Sequence, residues 1–306
     1  MLTSPSPDTL QVHRHPELSL ADEARLLRQD ILTTLYDTGG GHYGGSLSVI
    51  DLLLTLYRRV LRIDPATARH PERDRLILSK GHAAVALYAV LRRLGYFDWP
   101  LSGYASFASA LEGHPDMTSV PGVDFSTGSL GQGLSVGIGM ALALRKSGQH
   151  IWVVLGDGEC QEGQVWEAAM LAAISRLDRL HVIVDCNRHQ EWGWTSPDGS
   201  RPPPLPGIAD KWRAFGWQVF ECDGHDYAAL ETTLQAASAE RAQPSVIIAH
   251  TVKGKGLPLI ERDPIRFHCD AVSADEHAEL LGSVDLGFSE RVSPGNGQEQ
   301  GAEHTA

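Results

Sequence analysis

"VVLGDGECQEG", residues 153–163, is an apolar run cut off at Gly156-Asp157-Gly158 and followed at once by acidic residues. With Ile151 and Trp152 in front of it, "IWVVL" has the length and uniform apolarity of a strand buried on both faces. Its end places a carboxylate between two glycines. Asp-Gly is a common tight turn. It is also what a metal and phosphate site needs, a hard oxygen ligand flanked by residues that let the backbone approach a phosphate.

Working outward, the same grammar repeats. "QVWEAAMLAAISRL" reads as a helix and "LHVIVD" as a strand; "WRAFG", a strand "WQVFEC", a helix through "YAALETTLQAASAE" and a strand "SVIIAH" follow. Upstream, "LSLADEARLLRQDILTTLYDTG" and "SVIDLLLTLYRRVL" have helical spacing; "RLILS" is a short strand leading into the helix "HAAVALYAVLRRLG", and "LSVGIGMALALRKSG" is a further helix. Apolar strands alternating with helices predict an α/β fold, a parallel sheet with helices on both faces. The expected organisation is a flexible tail over 1–18, one domain over 19–283, and a disordered tail over 284–306.

In such sheets ligands bind beyond the carboxyl ends of the strands. Thirty residues and one crossover helix separate Asp157 from Asn187, which follows "LHVIVD", so the two belong on adjacent strands at one edge. A carboxylate and an amide oxygen suit magnesium or calcium. "SVIIAH" runs into "TVKGKG", where Lys253 and Lys255 either meet a phosphate or face water, and "RLILS" runs into Lys80-Gly81-His82. "STGSLGQG", holding Gly128 and Leu130, is a tight helix start or a loose phosphate loop. Of fourteen histidines, His13, His15, His70 and His150 stand in polar contexts and read as solvated. His42, His82, His114 and His268 have glycine-rich or loop-like surroundings; each reads as a structural group or as a hydrogen-bonding proton shuttle for a hydroxylated substrate.

Bulk properties narrow the classes. The formal net charge of -12 argues against nucleic acid or an anionic membrane as partner. No apolar segment has the length of a membrane span, no secretory leader is visible, and four scattered cysteines fit a reducing, cytoplasmic setting.

Taken in order along the chain, "GGGHYGGSLS", "LSKGHAAVALY", "EGHPD", "STGSLGQG" and "GDGECQEGQVWEA", with Asn187 downstream, resemble transketolase over residues 20–270. The resemblance is to its N-terminal, thiamine-diphosphate-binding PP-type domain, and so to one subunit of a split enzyme. It implies thiamine diphosphate and Mg2+ as cofactors. Asp157, Asn187 and the carbonyl of His189 match the metal ligands. Gly156, Gly158 and Glu159 lie in the diphosphate signature, and Leu130 matches a residue against the thiazolium. His42, His82 and His114 match histidines at the cofactor or the reacting end of the substrate. His268 stands near a further such histidine, with Cys269 in place of the usual glycine. Glu162 and Glu167 match acidic residues linking two active sites. The implied reaction moves a two-carbon ketol unit from a ketose, sugar or sugar phosphate, to an aldehyde. The implied partner is a C-terminal transketolase subunit whose pyrimidine-binding domain supplies an activating glutamate, in an α2β2 assembly. Competing readings are the α-type subunit of a 2-oxo-acid dehydrogenase, a one-chain deoxyxylulose-phosphate-type synthase, and a non-catalytic structural subunit. Trp192, Trp194 and "SRPPPLPG" depart from the pentose-phosphate pattern.

Overall fold

In the computed structural model, residues 18–191, 195–196 and 200–289 are described. Of the tails expected over 1–18 and 284–306, residues 1–17 and 290–306 lie outside them, as do Trp192 and Trp194.

Five parallel strands form the centre: β1 (Arg75–Leu78), β2 (Ile151–Gly156), β3 (Leu180–Cys186), β4 (Gln218–Asp223) and β5 (Ser245–His250), in the order β1-β2-β3-β5-β4. Alternation along β2 divides two apolar cores. Trp152 and Val154 face one, while Ile151, Val153 and Leu155 face the other. The first core is closed by α1 (Leu20–Asp37), α2 (Tyr43–Thr55), α3 (Ala84–Leu94), α7 (Tyr227–Ala239) and α9 (Ala274–Ser289). The second is closed by α4 (Gln132–Ala143), α5 (Gly163–Ile174) and α6 (Ile208–Ala214). Both faces are therefore covered, as uniformly apolar strands require. The short α8 (Pro258–Arg262) connects β5 to α9.

Local chemistry sets the ends. Ser19 caps α1, its Oγ accepting from Asp22 N at 3.1 Å, and Asp22 and Glu23 stand in the first turn where the helix dipole favours them. Gly95 ends α3 in the left-handed conformation. Two boundaries differ from expectation. The helix expected over "SVIDLLLTLYRRVL" begins earlier, at Tyr43, and its last turn, Leu56–Val60, widens to a π turn. The last helix runs to Ser289, past the domain end expected at 283, because Leu280 and Val284 pack into the first core. Among the described residues no helix is long and apolar enough to cross a membrane.

Candidate cofactor and active site

Adjacent parallel strands bring the two key residues together. Gly156 on β2 pairs with Asp185 on β3, so Asp157 and Asn187 emerge side by side at the carboxyl edge. Arg188 adopts a left-handed φ of 67°, unusual for a residue with a side chain. That turn aims its N–H at Asp157 Oδ2, 2.6 Å away. Gly158 N–H donates to Asp157 Oδ1 at 2.8 Å. Asp157 thus has two backbone donors and, among the described residues, no ion-pair partner, although it is only 4% exposed. Burial, reinforced by the neighbouring Asp185, pushes its carboxyl up to about 7.

Asp185 is also buried, with the opposite balance. Lys80 Nζ donates to its Oδ2 at 2.5 Å and Ser48 Oγ to the same oxygen at 2.7 Å, while Thr251 Oγ1 donates to Oδ1. Burial alone would raise this carboxyl; the Lys80 ammonium and these hydrogen bonds outweigh it and hold it below its ordinary range. The same cluster fixes Asn187. Its Nδ2 donates to Asp185 Oδ2 at 3.3 Å and toward Ser48 Oγ at 3.4 Å, which assigns the other terminal atom as the oxygen, Oδ1. Oδ1 accepts from His189 N at 3.1 Å.

A cavity of about 280 Å³ opens over these groups. Of the residues expected at the site, His82, Leu130, Gly156, Asp157, Gly158, Glu159, Glu162, Asn187, His189 and His268 line it. His42 stands behind, its ring 5.1 Å from His82 and 5.6 Å from His268. His114 and Gly128 lie together beyond the lining; a Cβ on Gly128 would come within 3.3 Å of the His114 ring. Glu167 is exposed on α5 and does not reach the cavity. Glu159 is a structural clasp: its carboxylate accepts from Ser79 Oγ, from Gly131 N at 2.8 Å and from Gly156 N at 3.0 Å. It ties the glycine-rich loop to the end of β2.

The glycines of "GGGHYGGSLS" act by close approach. A Cβ on Gly44 would lie 2.8 Å from Lys253 Cγ, and one on Gly45 would lie 3.1 Å from His82 Nε2. Their absence lets the start of α2 sit against the site. Lys253 is 2% exposed, which settles the choice left open for it: it faces the cavity and not bulk water. Burial and then Lys80 lower its ammonium to about 8. Its Nζ lies 2.6 Å from His268 Nδ1, so Nδ1 accepts and Nε2 carries the ring proton. Burial lowers His42 to about 4 and His268 to about 3, and holds His82 well below its ordinary value. The three rings are neutral imidazoles.

Sequence reasoning missed Asp185 and Ser48 and left Lys80 without a role. One signal for Asp185 was readable, an acid inside an otherwise apolar, doubly covered strand.

These donors fit a hydrated divalent cation bound with a diphosphate. Among the described residues no cationic side chain is bonded to Asp157, Asn187 presents an oxygen, and Lys253 lines the same cavity. Among the described residues no three His, Cys, Asp or Glu side chains form a metal cluster. Such a cation would keep few protein ligands and take the rest from phosphate and water, as magnesium does.

Comparison with known proteins identifies the family. The family described as "Transketolase, thiamine diphosphate binding domain" matches residues 17–292. The chain is 42% identical over 248 residues to a 6-deoxy-6-sulfo-D-fructose transketolase subunit, SqwG, of Clostridium sp. (strain MSTE9), covering 80% of this chain and 89% of that protein. It is 41% identical over 262 residues to an apulose-4-phosphate transketolase subunit of Actinobacillus succinogenes, covering 84% and 92%. The transketolase structure from Leishmania mexicana superposes with a TM-score of 0.73 at 27% identity, covering 91% of this chain and 46% of that one. The chain thus spans about half the length of that solved relative, and nearly all of the two subunits.

Proposed function

Because the chain belongs to the transketolase family as an N-terminal, thiamine-diphosphate-binding subunit, we propose that it forms half of a shared active site. There a two-carbon ketol unit passes from a ketose, sugar or sugar phosphate, to an aldehyde. The observation that carries this reading is the buried Asp157 beside Asn187, with no cationic side chain bonded to it among the described residues, in a cavity also lined by His82, His268 and Lys253.

Asp157, the Asn187 amide oxygen and the His189 carbonyl would hold Mg2+, with Lys253 and the backbone at Gly158 toward the diphosphate. Thiamine diphosphate, when bound, supplies the electron sink for cleaving a carbon–carbon bond next to a carbonyl. The chain's own work is position and electrostatics. Leu130, 39% exposed at the cavity, offers an apolar contact for the cofactor ring. Neutral His42, His82 and His268 can donate hydrogen bonds to substrate oxygens as charge develops on them. His268 donates from Nε2, because Lys253 holds Nδ1 as acceptor.

A second chain completes the site in this proposal. It supplies the pyrimidine-binding domain and the activating glutamate, in an α2β2 assembly in the cytoplasm. Two observations support a docking face. Glu162 at the cavity lip and Glu167 sit at the start of α5, and that helix exposes Met170, Leu171 and Ile174 beside Leu142 of α4. Clustered apolar exposure of this kind marks interaction surfaces. The names of the two similar subunits also call for a partner.

The test is reconstitution. The purified chain with thiamine diphosphate, Mg2+ and a ketose donor should show no turnover alone, and turnover should follow addition of a pyrimidine-domain chain. Sustained turnover by the isolated chain would contradict the proposal.

A further inference from the structure

The opposite edge of the sheet carries a second cavity, of about 370 Å³, that shares no lining residue with the first. It lies where β1 and β2 begin, between the π turn after α2 and the end of α7. Arg59, Arg62, Arg241, His150 and Trp152 line it, and Asp74 is its carboxylate.

Of its three arginines, two reach a carboxylate and the third, Arg241, does not among the described residues. Arg62 Nη2 bonds Asp74 Oδ1 at 2.7 Å. Arg59 Nε pairs with Glu231 Oε2 at 3.7 Å, too long for a hydrogen bond, and among the described residues its buried N–H has no hydrogen-bond acceptor. Arg241 uses Nη1 alone, donating to the carbonyls of Ser238 and Glu240 that end α7. The Glu240 carboxylate turns instead to the backbone N–H groups of Arg241 and Ala242. Behind the cavity, Arg179 Nη1 donates to Gly148 O at 2.9 Å and to His150 Nε2 at 3.2 Å. Among the described residues neither Arg241 nor Arg179 has a carboxylate partner. The buried Trp152 Nε1–H also lacks an acceptor.

His150 is not the solvated histidine its sequence context suggests. With Nε2 accepting from Arg179, its proton sits on Nδ1, 2.7 Å from His181 Nε2; His181 Nδ1 in turn lies 2.7 Å from Ser245 Oγ. Burial lowers His150 to about 4; Asp74 opposes this, and Arg179, Arg62 and Arg241 reinforce it. Burial keeps both rings neutral, and the nearby guanidiniums add to that. Guanidinium forks match phosphoryl oxygens in pairs. The π turn that presents Arg59 is a rare feature that gathers at functional sites.

We propose that this cavity binds a small phosphorylated metabolite through Arg59 and Arg241, at the start of the strands whose other ends form the cofactor site. The reading is independent of the ketol-transfer assignment. The probes are inorganic phosphate and glycerol phosphate, titrated into the full chain while the ring 1H–15N resonances of His150 and His181 are followed. Saturable shifts in both rings are expected, with glycerol phosphate the tighter ligand. Arg59→Gln with Arg241→Gln should weaken binding about tenfold or more. Lys253→Met, in the other cavity, should leave the shifts in place. Arg59→Lys keeps the charge but not the fork; it should weaken binding by less, and replaces Arg59→Gln if that variant does not fold. Absence of saturable shifts, an unchanged affinity in the double variant, or inorganic phosphate binding as tightly as the ester would overturn the proposal.

Discussion

Two buried carboxylates end neighbouring strands, and they are held in opposite ways. Asp185 on β3 has Lys80, Ser48 and Thr251 around it and stays ionised. Asp157, just past β2, has two backbone N–H groups, a like-charged neighbour and no cation. The first is matched within the fold and anchors Asn187. The second has no cationic side chain bonded to it among the described residues, which is the signature of a group kept for a ligand. The difference separates an acid that stabilises the protein from one that the protein holds at a cost in stability.

Breaking the balanced side should have the largest effect. Asp185→Ala leaves the Lys80 ammonium buried without its counterion, for a loss of about 3–5 kcal/mol in urea denaturation. Adding Lys80→Met should recover most of that stability while cofactor affinity stays low, because Asn187 has still lost its orienting acceptor. Full recovery of affinity would show that Asp185 does not position Asn187.

The unbalanced side should respond with the opposite sign. Asp157→Asn removes a buried charge that no cationic side chain among the described residues is bonded to, at the cost of one of its two backbone hydrogen bonds, so the metal-free protein should gain about 1 kcal/mol at neutral pH. The same urea titration reads it, and a loss of stability would mean that Asp157 is a structural turn.

At the far edge, the His150–His181 pair makes stability pH-dependent. Both rings titrate below the ordinary 6.5 when folded, His150 near 4. The unfolded chain therefore binds their protons first as pH falls. Their contribution is complete above about 6.5 and is lost as pH drops toward 4, by up to about 1.4 kcal/mol per pH unit for each ring. His150→Asn keeps a donor for His181 and removes one titrating group. Its melting temperature should fall less steeply over that window than the parent's, and an equal slope would count against the assignment.

The smallest effect is expected at Glu167, exposed on α5. Glu167→Gln should change stability by no more than about 0.5 kcal/mol. Sedimentation with the partner chain should nevertheless show weaker assembly, and unchanged assembly would remove Glu167 from the proposed interface.

Much of this was legible in the sequence, for identifiable reasons. The strands were readable because both faces are covered, so "IWVVL" and "LHVIVD" are apolar throughout. Asp157 and Asn187 were readable because one crossover helix fixes their relative position on adjacent parallel strands. The Lys80–Asp185 pair was not, because it joins residues 105 positions apart through packing that no local pattern encodes. Lys253 was ambiguous for the same reason: its enclosure depends on packing against distant residues, Gly44 at the start of α2 among them. The last helix escaped because its apolar positions, Leu280 and Val284 among them, are sparse in a polar stretch and gain meaning only against α1.

The most direct test of the cofactor site is calorimetric titration of thiamine diphosphate with Mg2+ into this chain, with and without the pyrimidine-domain partner, beside Asp157→Ala. The account predicts tight binding only with the partner, and none in the variant. Equal heats from the parent and Asp157→Ala would contradict it and return Gly156-Asp157-Gly158 to a simple turn.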